Sequence, residues 1–469
     1  MRKSQSALVP CCVALGLATA GLEAQEVTLT IGDAVRATLS KNPDLLNSAD
    51  TLAVTRYSES AVRSAFLPQF TPFLATTRDA VTRERIDTYG FNASQQFDFG
   101  PLLSASGSAT RDPTVSSATP YATSYSITLT QPLLKGVDPA VTREPLREAR
   151  RATQGQERAV EATKRRAILA VYTAYLGLAR EERALAIARE RLERARQLTS
   201  FSRARFSAGS VSRLDVLRAE QQEASADVAA NDAANAVEDA RDFLRRTAGL
   251  PRDARFDILP PADLPVEEPI LEDAASGVLD RRPEALEARD QVVDAEYAVR
   301  IAKSQQLPSL NAVLGYAFAN VGGSFGGALA PKNSLFTFSL RSDYNVNATA
   351  LYAARRSAEV QLATRQRNLA LFEDDLVRDV RRAYRRLDAL KKNLAIATDN
   401  LRVAELQLQV AQLRFEKGLS DNFNVIDAEN LLNSARLLEL DSRFAILLAR
   451  LDCLFASGTL EAEAFRRQP

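Results

Sequence analysis

The sequence predicts an α+β fold made of two copies of one unit, each a β-hairpin segment followed by very long helices. Three observations predict it. Short motifs recur at constant offsets, apolar residues recur with a period of about 3.5 in long segments without Pro, and apolar and polar residues alternate just before those segments. Charged residues make up 25% of the 469 positions and hydrophobic residues 46%, as in an ordinary folded chain, so disorder is not expected.

Residues 1–24 are typical of a secretory signal peptide. Arg2 and Lys3 form a positive start, and Ala7 to Leu17 form an apolar stretch too short to span a bilayer as a helix. Cleavage after Ala24 is favoured. The mature chain then keeps one cysteine, Cys453, which stands among apolar residues and is expected to pack in a core. We therefore expect an exported protein without an intramolecular disulfide.

Charge and composition exclude several classes of function. Lys and Arg number 60 and Asp and Glu number 59, so no basic excess exists to neutralise the phosphates of a nucleic acid. The chain has no His, which removes Ser-His-Asp catalysis, imidazole acid–base chemistry and His-ligated metal sites. We predict no catalytic residue, no metal site and no cofactor, and therefore not an enzyme.

Motifs recur along the chain at two offsets. Asn42-Pro43 corresponds to Arg282-Pro283 at an offset of 240, and Arg205-Phe206 corresponds to Arg414-Phe415 at an offset of 209. The first copy therefore carries 31 additional residues, most of them within 69–124. The sequence is divided into a first copy at 25–250, a Pro-rich connector at 251–269, a second copy at 270–460 and a tail at 461–469.

Two segments place apolar residues at alternating steps of four and three, in residues 167–206 and 376–415. This period is typical of the seam by which one helix packs lengthwise on another, so Phe206 and Phe415, which lie on it, are expected in the core. Short helices are expected before each β-segment. The long helices are predicted at about 139–206, 211–248, 348–416 and 421–457, and the third of them would extend for about 100 Å.

The segments before the long helices alternate with a period of two, as where Tyr125, Ile127 and Leu129 interleave with polar residues. Such two-faced strands occur in membrane barrels and in soluble sandwiches, and alternation alone does not separate them. Four to six strands are too few to close a pore in one chain, so a membrane-spanning form requires an oligomer. The hairpin segments are predicted at about 68–134 and 308–342.

Short motifs follow one another along the chain: Asp33-Ala34-Val35, Asn42-Pro43-Asp44, Leu67-Pro68, Gln131-Pro132-Leu133, Arg282-Pro283-Glu284, Leu307-Pro308 and two Arg-Phe-x-x-Gly turns. Copy two departs from the pattern at one place, where Ser342-Asp343-Tyr344 stands in the position of Gln131-Pro132-Leu133. This ordered set resembles the TolC family of outer-membrane efflux proteins over essentially the whole mature chain. The resemblance implies an α+β membrane protein and a homotrimer. Its protomers would each lend four strands, or six with the insertion, to one outer-membrane β-barrel continuous with a long periplasmic α-helical coiled-coil barrel. The inserted residues either enlarge that barrel or extend outside it.

The resemblance also implies the function. Members of the family are passive export channels that dock a periplasmic adaptor (membrane fusion) protein and an inner-membrane RND or ABC transporter. They sit in outer-membrane lipid, extend into the periplasm and expel small molecules or secreted polypeptides. The alternative is a periplasmic coiled-coil adaptor or structural protein. Adaptors also have helical hairpins and β-domains, but they lack this duplicated order of hairpin and very long helix.

Two glycine turns follow the long helices and, by the resemblance, form the periplasmic tip where adaptors dock. They contain Gly209 and Gly418, and each is preceded by an arginine of the shared motif, Arg205 and Arg414. Glycine is the natural residue to end a helix in a left-handed conformation. The resemblance therefore makes these four residues the expected adaptor-docking turns.

The pore constriction is expected just beyond these turns. In the family, acidic residues six and nine positions after the second glycine face the lumen, and here those positions hold Asn424 and Asp427. The first of these positions in copy one is Asp215. A capping box with Ser212 at the start of a helix is the alternative role for Asp215. With Asn424 in place of an acid, the ring would carry fewer negative charges than is usual for the family.

Overall fold

The computed structural model describes residues 27–78, 85–112, 118, 120–259, 270–330, 333–344 and 346–460. The predicted signal peptide and tail lie outside these residues, as does most of the predicted connector. Among the helices of the described part, none combines the length and the apolar character that crossing a membrane requires.

Copy one begins with a short strand and two helices, continues with four long strands and ends with two long helices. Asn42 separates the first two helices: its Oδ1 accepts a hydrogen bond from the Asp44 amide at 2.9 Å, and Pro43 takes the first helical position. The elements are β1 (Val27–Leu29), α1 (Ile31–Lys41), α2 (Pro43–Ser64), β2 (Gln69–Arg78), β3 (Arg85–Gln96), β4 (Leu102–Arg111), β5 (Tyr121–Pro132), α3 (Pro139–Thr142), α4 (Glu144–Ser207) and α5 (Arg213–Thr247).

Copy two has two long strands instead of four. A short strand also lies in the segment predicted as connector, where Phe256–Ile258 pairs in parallel with β1. The Tyr175 hydroxyl lies 3.0 Å from the Leu29 carbonyl and 2.8 Å from the Leu259 carbonyl, which fixes both strands to α4. The elements are β6 (Phe256–Ile258), α6 (Leu271–Arg281), α7 (Pro283–Gln305), β7 (Ser309–Gly322), α8 (Phe325–Leu329), β8 (Asn333–Asp343), α9 (Thr349–Glu416) and α10 (Asn422–Ala456).

The long strands of both copies form one antiparallel sheet in the order β2-β3-β4-β5-β7-β8. Strands β3 and β4 lie within residues 69–124, where the sequence places the insertion. The inserted residues therefore add a hairpin in the plane of the sheet, between β2 and β5, and not outside it. In the described residues this sheet has six strands, and β2 and β8 form its two edges.

The two faces of this sheet differ in polarity. One row of paired residues is apolar from edge to edge: Phe70, Ala93, Ala105, Ile127, Tyr316 and Phe336. The neighbouring row on the opposite face has no large apolar side chain: Gln69, Ser94, Ser104, Thr128, Gly315 and Thr337. On that face the hydroxyls of Ser106 and Ser126 pair at 2.9 Å. The apolar face is exposed, with Phe336 at 68%.

The helices pack in pairs below the sheet, α4 with α5 and α9 with α10. The seam predicted on α9 is buried or half-buried along its length, with Leu376 and Leu387 among its buried members. The largest core cluster surrounds Tyr172 and Tyr175, and burial raises the pKa of Tyr175 to about 12. Cys453 is 1% exposed in another cluster of the core, which confirms its predicted packing.

Candidate functional site

The two glycine turns bring the ends of the four long helices together at the pole opposite the sheet. Gly209 and Gly418 both have a φ of +72°, the left-handed conformation that favours glycine. The Ser210 amide donates to the Arg205 carbonyl at 2.8 Å, and the Leu419 amide repeats this bond in copy two at 2.9 Å. The shared motif thus produces the same helix end twice.

Asp215 forms the capping box that the sequence allows. Its amide donates to the Ser212 hydroxyl oxygen at 3.2 Å, and its carboxylate accepts from the Ser212 amide at 3.1 Å and from the Ser212 hydroxyl at 2.7 Å. These bonds satisfy donors at the start of α5 that have no partner within the helix. The local geometry therefore accounts for Asp215 as a helix cap.

Asn424 and Asp427 lie on exposed positions of the first turns of α10. The Asn424 side-chain amide donates to the Ser420 hydroxyl at 2.7 Å and to the Asp421 carboxylate at 3.2 Å. Asp427 lies one turn further along the helix, beyond the reach of a capping role. Two of the three predicted constriction residues thus follow each other along one helix.

Arg205 joins the two copies at this pole. Its guanidinium donates to the Phe415 carbonyl at 2.7 Å, and its centre lies 5.3 Å from the ring centroids of both Phe201 and Phe415. The last carbonyls of a helix have no partner within it and carry partial negative charge, so a cation there is favourable. We call this arrangement, formed by Phe201, Arg205 and Phe415, the arginine clamp.

The other arginine of the motif has no such arrangement in the described chain. The Arg414 side chain is exposed, and no hydrogen bond, ion pair or ring contact joins its guanidinium to another described residue. Phe206, the counterpart of Phe415, is 45% exposed while Phe415 is 3% exposed. The prediction of a core position is right for Phe415 and wrong for Phe206, because copy one covers the end of α9 but no described element covers the end of α4.

Two residues of this pole were not found from the sequence. Asn422 is fully buried, and its side-chain amide donates to the Asp215 carbonyl at 2.5 Å, which connects the starts of α5 and α10. Arg218 lies 3.8 Å from the Asp421 carboxylate and over the Phe423 ring. At the offset of 209, Arg218 in copy one is the counterpart of Asp427 in copy two. A comparison of the two copies at this position could therefore have identified Arg218 from the sequence.

A groove of about 550 Å³ lies beside the arginine clamp. The Arg194 guanidinium donates to the Glu429 carboxylate at 2.9 Å across it, connecting α4 to α10. Its lining includes Arg191, Arg194, Phe201, Gln222, Phe415 and Glu429. The groove therefore has an aromatic floor and charged walls contributed by both copies.

The chain matches a protein-family model in sequence, and its fold is similar to those of solved structures. The family model described as outer membrane efflux protein matches residues 34–250 and again residues 274–458, which confirms the duplication. No curated protein matches the chain.

Solved outer-membrane channels share the fold at low identity. The outer membrane protein VceC from Vibrio cholerae superposes with a TM-score of 0.71 at 14% identity, over 91% of this chain and 96% of that one. The CmeC channel of Campylobacter jejuni gives 0.69 at 14% identity, over 92% and 85%. The open state of the MtrE channel of Neisseria gonorrhoeae gives 0.65 at 18% identity, over 92% and 90%.

Proposed function

Because this chain belongs to the outer membrane efflux protein family, we propose that it is a passive, trimeric export channel of the outer membrane that extends into the periplasm. The observation that carries the proposal is the six-stranded sheet, which has two unpaired edges and one exposed apolar face. A sheet of this kind is stable in a membrane only when its edges are paired, because lipid offers no hydrogen bonds.

Three protomers satisfy both edges. Strand β8 of one protomer pairs with β2 of the next, so that three sheets of six strands close a barrel of eighteen. The apolar row that contains Phe70 and Phe336 then faces lipid. The face that carries Ser106 and Ser126 lines a water-filled lumen, as in outer-membrane barrels.

The long helices continue the lumen through the periplasm. Helix α9 has 68 residues and is therefore about 100 Å long at ~1.5 Å per residue. A periplasmic adaptor docks on the turns that contain Arg205, Gly209, Arg414 and Gly418, and the groove beside the clamp adds to that surface. An inner-membrane RND or ABC transporter supplies the energy, and the cargo is a small molecule or a secreted polypeptide.

The narrowest part of the channel is proposed at the tip. Asp427 faces the lumen there, with Asn424 one turn nearer the end. Asp215 belongs to the same pole, where its carboxylate caps α5. The ring then carries one free carboxylate per protomer at this level, which attracts cations weakly compared with two.

The function is tested by extraction and electrical recording. Membranes are washed with salt and then extracted with detergent. The molar mass of the extracted protein is measured by light scattering, and the protein is then inserted into planar bilayers to record its conductance. A protein of three chains that needs detergent and conducts ions supports the channel. A protein released by salt alone, without conductance, contradicts it and favours a periplasmic coiled-coil adaptor or structural protein.

A further inference from the structure

The two copies meet within the chain along an interface between α4 of copy one and α7 of copy two. Arg158 on α4 pairs with Asp290 on α7. Arg151, two turns earlier, lies 2.8 Å from Asp290 and 3.4 Å from Asp294. Three of these side chains are mostly buried, with Arg151 at 21%, Arg158 at 27% and Asp290 at 23% exposure, so the pairs to Asp290 are less screened by water than surface pairs.

The internal offsets identify the counterparts of this pair. Arg158 corresponds to Arg367 on α9 at an offset of 209, and Asp290 corresponds to Asp50 on α2 at an offset of 240. Both residue types are the same in the two copies. In the described chain both are exposed, Arg367 donates to the Thr364 hydroxyl at 3.2 Å, and no ion pair of a described residue includes Asp50.

In a second ion pair of this interface, both residues have counterparts of a different type. Arg151 corresponds to Val360, and Asp294 corresponds to Val54. A charged contact between the copies thus has an apolar counterpart in which both members are valine. Val360 is 54% exposed and Val54 is 63% exposed. Two apolar residues in place of two opposite charges form a matched contact if they face each other, whereas replacing one alone would leave a charge unpaired.

At the tip, too, a contact made between the copies inside the chain has an exposed counterpart. Arg205 lies over the turn of Gly418, where its Nη2 atom is 3.8 Å from the position that a Cβ would occupy. The counterpart turn at Gly209 is open, because no atom of a described residue other than Gly209 and its chain neighbours lies within 4 Å of that position. Arg414 is the exposed counterpart of Arg205, and Phe206 is the exposed counterpart of Phe415.

We infer that α9 of each protomer packs on α2 and on the end of α4 of the next protomer, in repetition of the contact between copies. In this interface Arg367 pairs with Asp50 of the next protomer, and Val360 packs on Val54. At the tip, Arg414 donates to the carbonyl at the end of the neighbouring α4. The inference rests on the proposed trimer and specifies which residues hold it together.

Charge and shape support a second copy of this chain as the partner. The surface on α9 offers an arginine and a valine seven residues apart, and the surface on α2 offers an aspartate and a valine four residues apart. Each set lies along one face of its helix, because residues four apart are neighbours on the helix surface and residues seven apart lie on the same face two turns away. The spacings equal those of Arg151 and Arg158 and of Asp290 and Asp294, which form the contact inside the chain.

Thiol cross-linking tests the residue assignment. In a Cys453→Ala background, the double variants Asp50→Cys/Arg367→Cys and Val54→Cys/Val360→Cys are treated in isolated membranes with a flexible bismaleimide and separated on denaturing gels. We expect covalent dimers and trimers from both. The matched control is Arg158→Cys/Asp290→Cys, which replaces the same residue types within one chain and should remain monomeric.

The mass of the untreated protein separates this inference from the proposed function. A monomeric mass in detergent overturns both. A trimeric mass with no ladder from either inter-protomer pair overturns the residue assignment and leaves the channel standing.

Charge exchange gives a second measurement. Asp50→Arg and Arg367→Asp, each alone, should lower the temperature at which the trimer dissociates on gels, and the double variant should restore it. Failure of the double variant to recover, when both single variants are destabilised, contradicts the pairing.

Discussion

The guanidinium of Arg205 donates a hydrogen bond to the main-chain carbonyl of Phe415, at 2.7 Å, and so joins the end of α4 in copy one to the end of α9 in copy two. The same guanidinium lies over the ring of Phe415 and over that of Phe201. One side chain therefore provides a hydrogen bond to a helix end, a favourable charge at that end and two ring contacts. The tip is held inside each chain by this clamp.

We predict that Arg205→Ala loosens the tip. A hydrogen bond from a charged group contributes about 1.5–3 kcal/mol, so local opening of residues 410–422 should become easier by roughly that amount. Hydrogen exchange of those amides measures the change. Arg203→Ala is the matched control, because the Arg203 pair with Glu220 is exposed and should matter little. Equal exchange in the two variants would argue against the clamp.

Asp427→Ala should reduce block of the channel by multivalent cations added on the periplasmic side. The expectation follows from the proposed ring of Asp427 carboxylates, because the variant removes the negative charge of that ring. Single-channel recordings at increasing cation concentration measure the block. Asn424→Ala removes a neutral side chain one turn nearer the helix start and should leave the block unchanged. Equal block in wild type and Asp427→Ala would refute the lumen-facing role.

Removal of the inserted hairpin should narrow the barrel. The change deletes residues 79–120 and joins β2 to β5 by an Asn-Gly turn, which suits a two-residue hairpin. Since barrel diameter grows roughly linearly with strand number, the largest neutral polymer that enters from the outer side should become smaller.

Polymer exclusion from the outer side measures the barrel itself, whatever the width of the tip. A control that shortens only the segment 113–119, between β4 and β5, should keep the wild-type cut-off. An unchanged cut-off after removal of the hairpin would show that the inserted strands do not form part of the barrel wall.

Acid should weaken the contact between α4 and α7. Burial by itself raises the pKa of Asp290, but hydrogen bonds from Arg151 and Arg158 outweigh it and hold that pKa below its ordinary value of 3.8. A carboxyl group with a lowered pKa contributes stability above its ordinary pKa and loses it as the pH falls through the lowered value.

We therefore expect constant resistance to heat from neutral pH to about pH 4 and a fall below it. Asp290→Asn should be less stable at neutral pH and should lose less on acidification. Unfolding followed by circular dichroism measures both. A variant with the same acid-induced loss as wild type would place the source of that loss elsewhere.

Much of the architecture is local information and could be predicted from the sequence. The period of about 3.5 predicts a helix over 348–416, and the structure has one over Thr349–Glu416. The constant offsets indicate the duplication, and the shared Arg-Phe-x-x-Gly motif gives two identical helix ends. Each of these features is a spacing or a repeat of residues along the chain, and it can be identified without knowing how the chain folds.

Strand pairing and the burial of individual side chains depend on residues far apart in the sequence, and only the tertiary structure showed them. The pattern of alternation does not say which strands pair, so only the register placed the inserted hairpin between β2 and β5. The seam does not say which side of a helix another element covers. Phe206 and Phe415 therefore have the same place in the motif but different exposure, and Asn422 became buried because two helix starts meet there. Periodicity determines which face of an element is apolar, and the packing of the whole chain determines what that face meets.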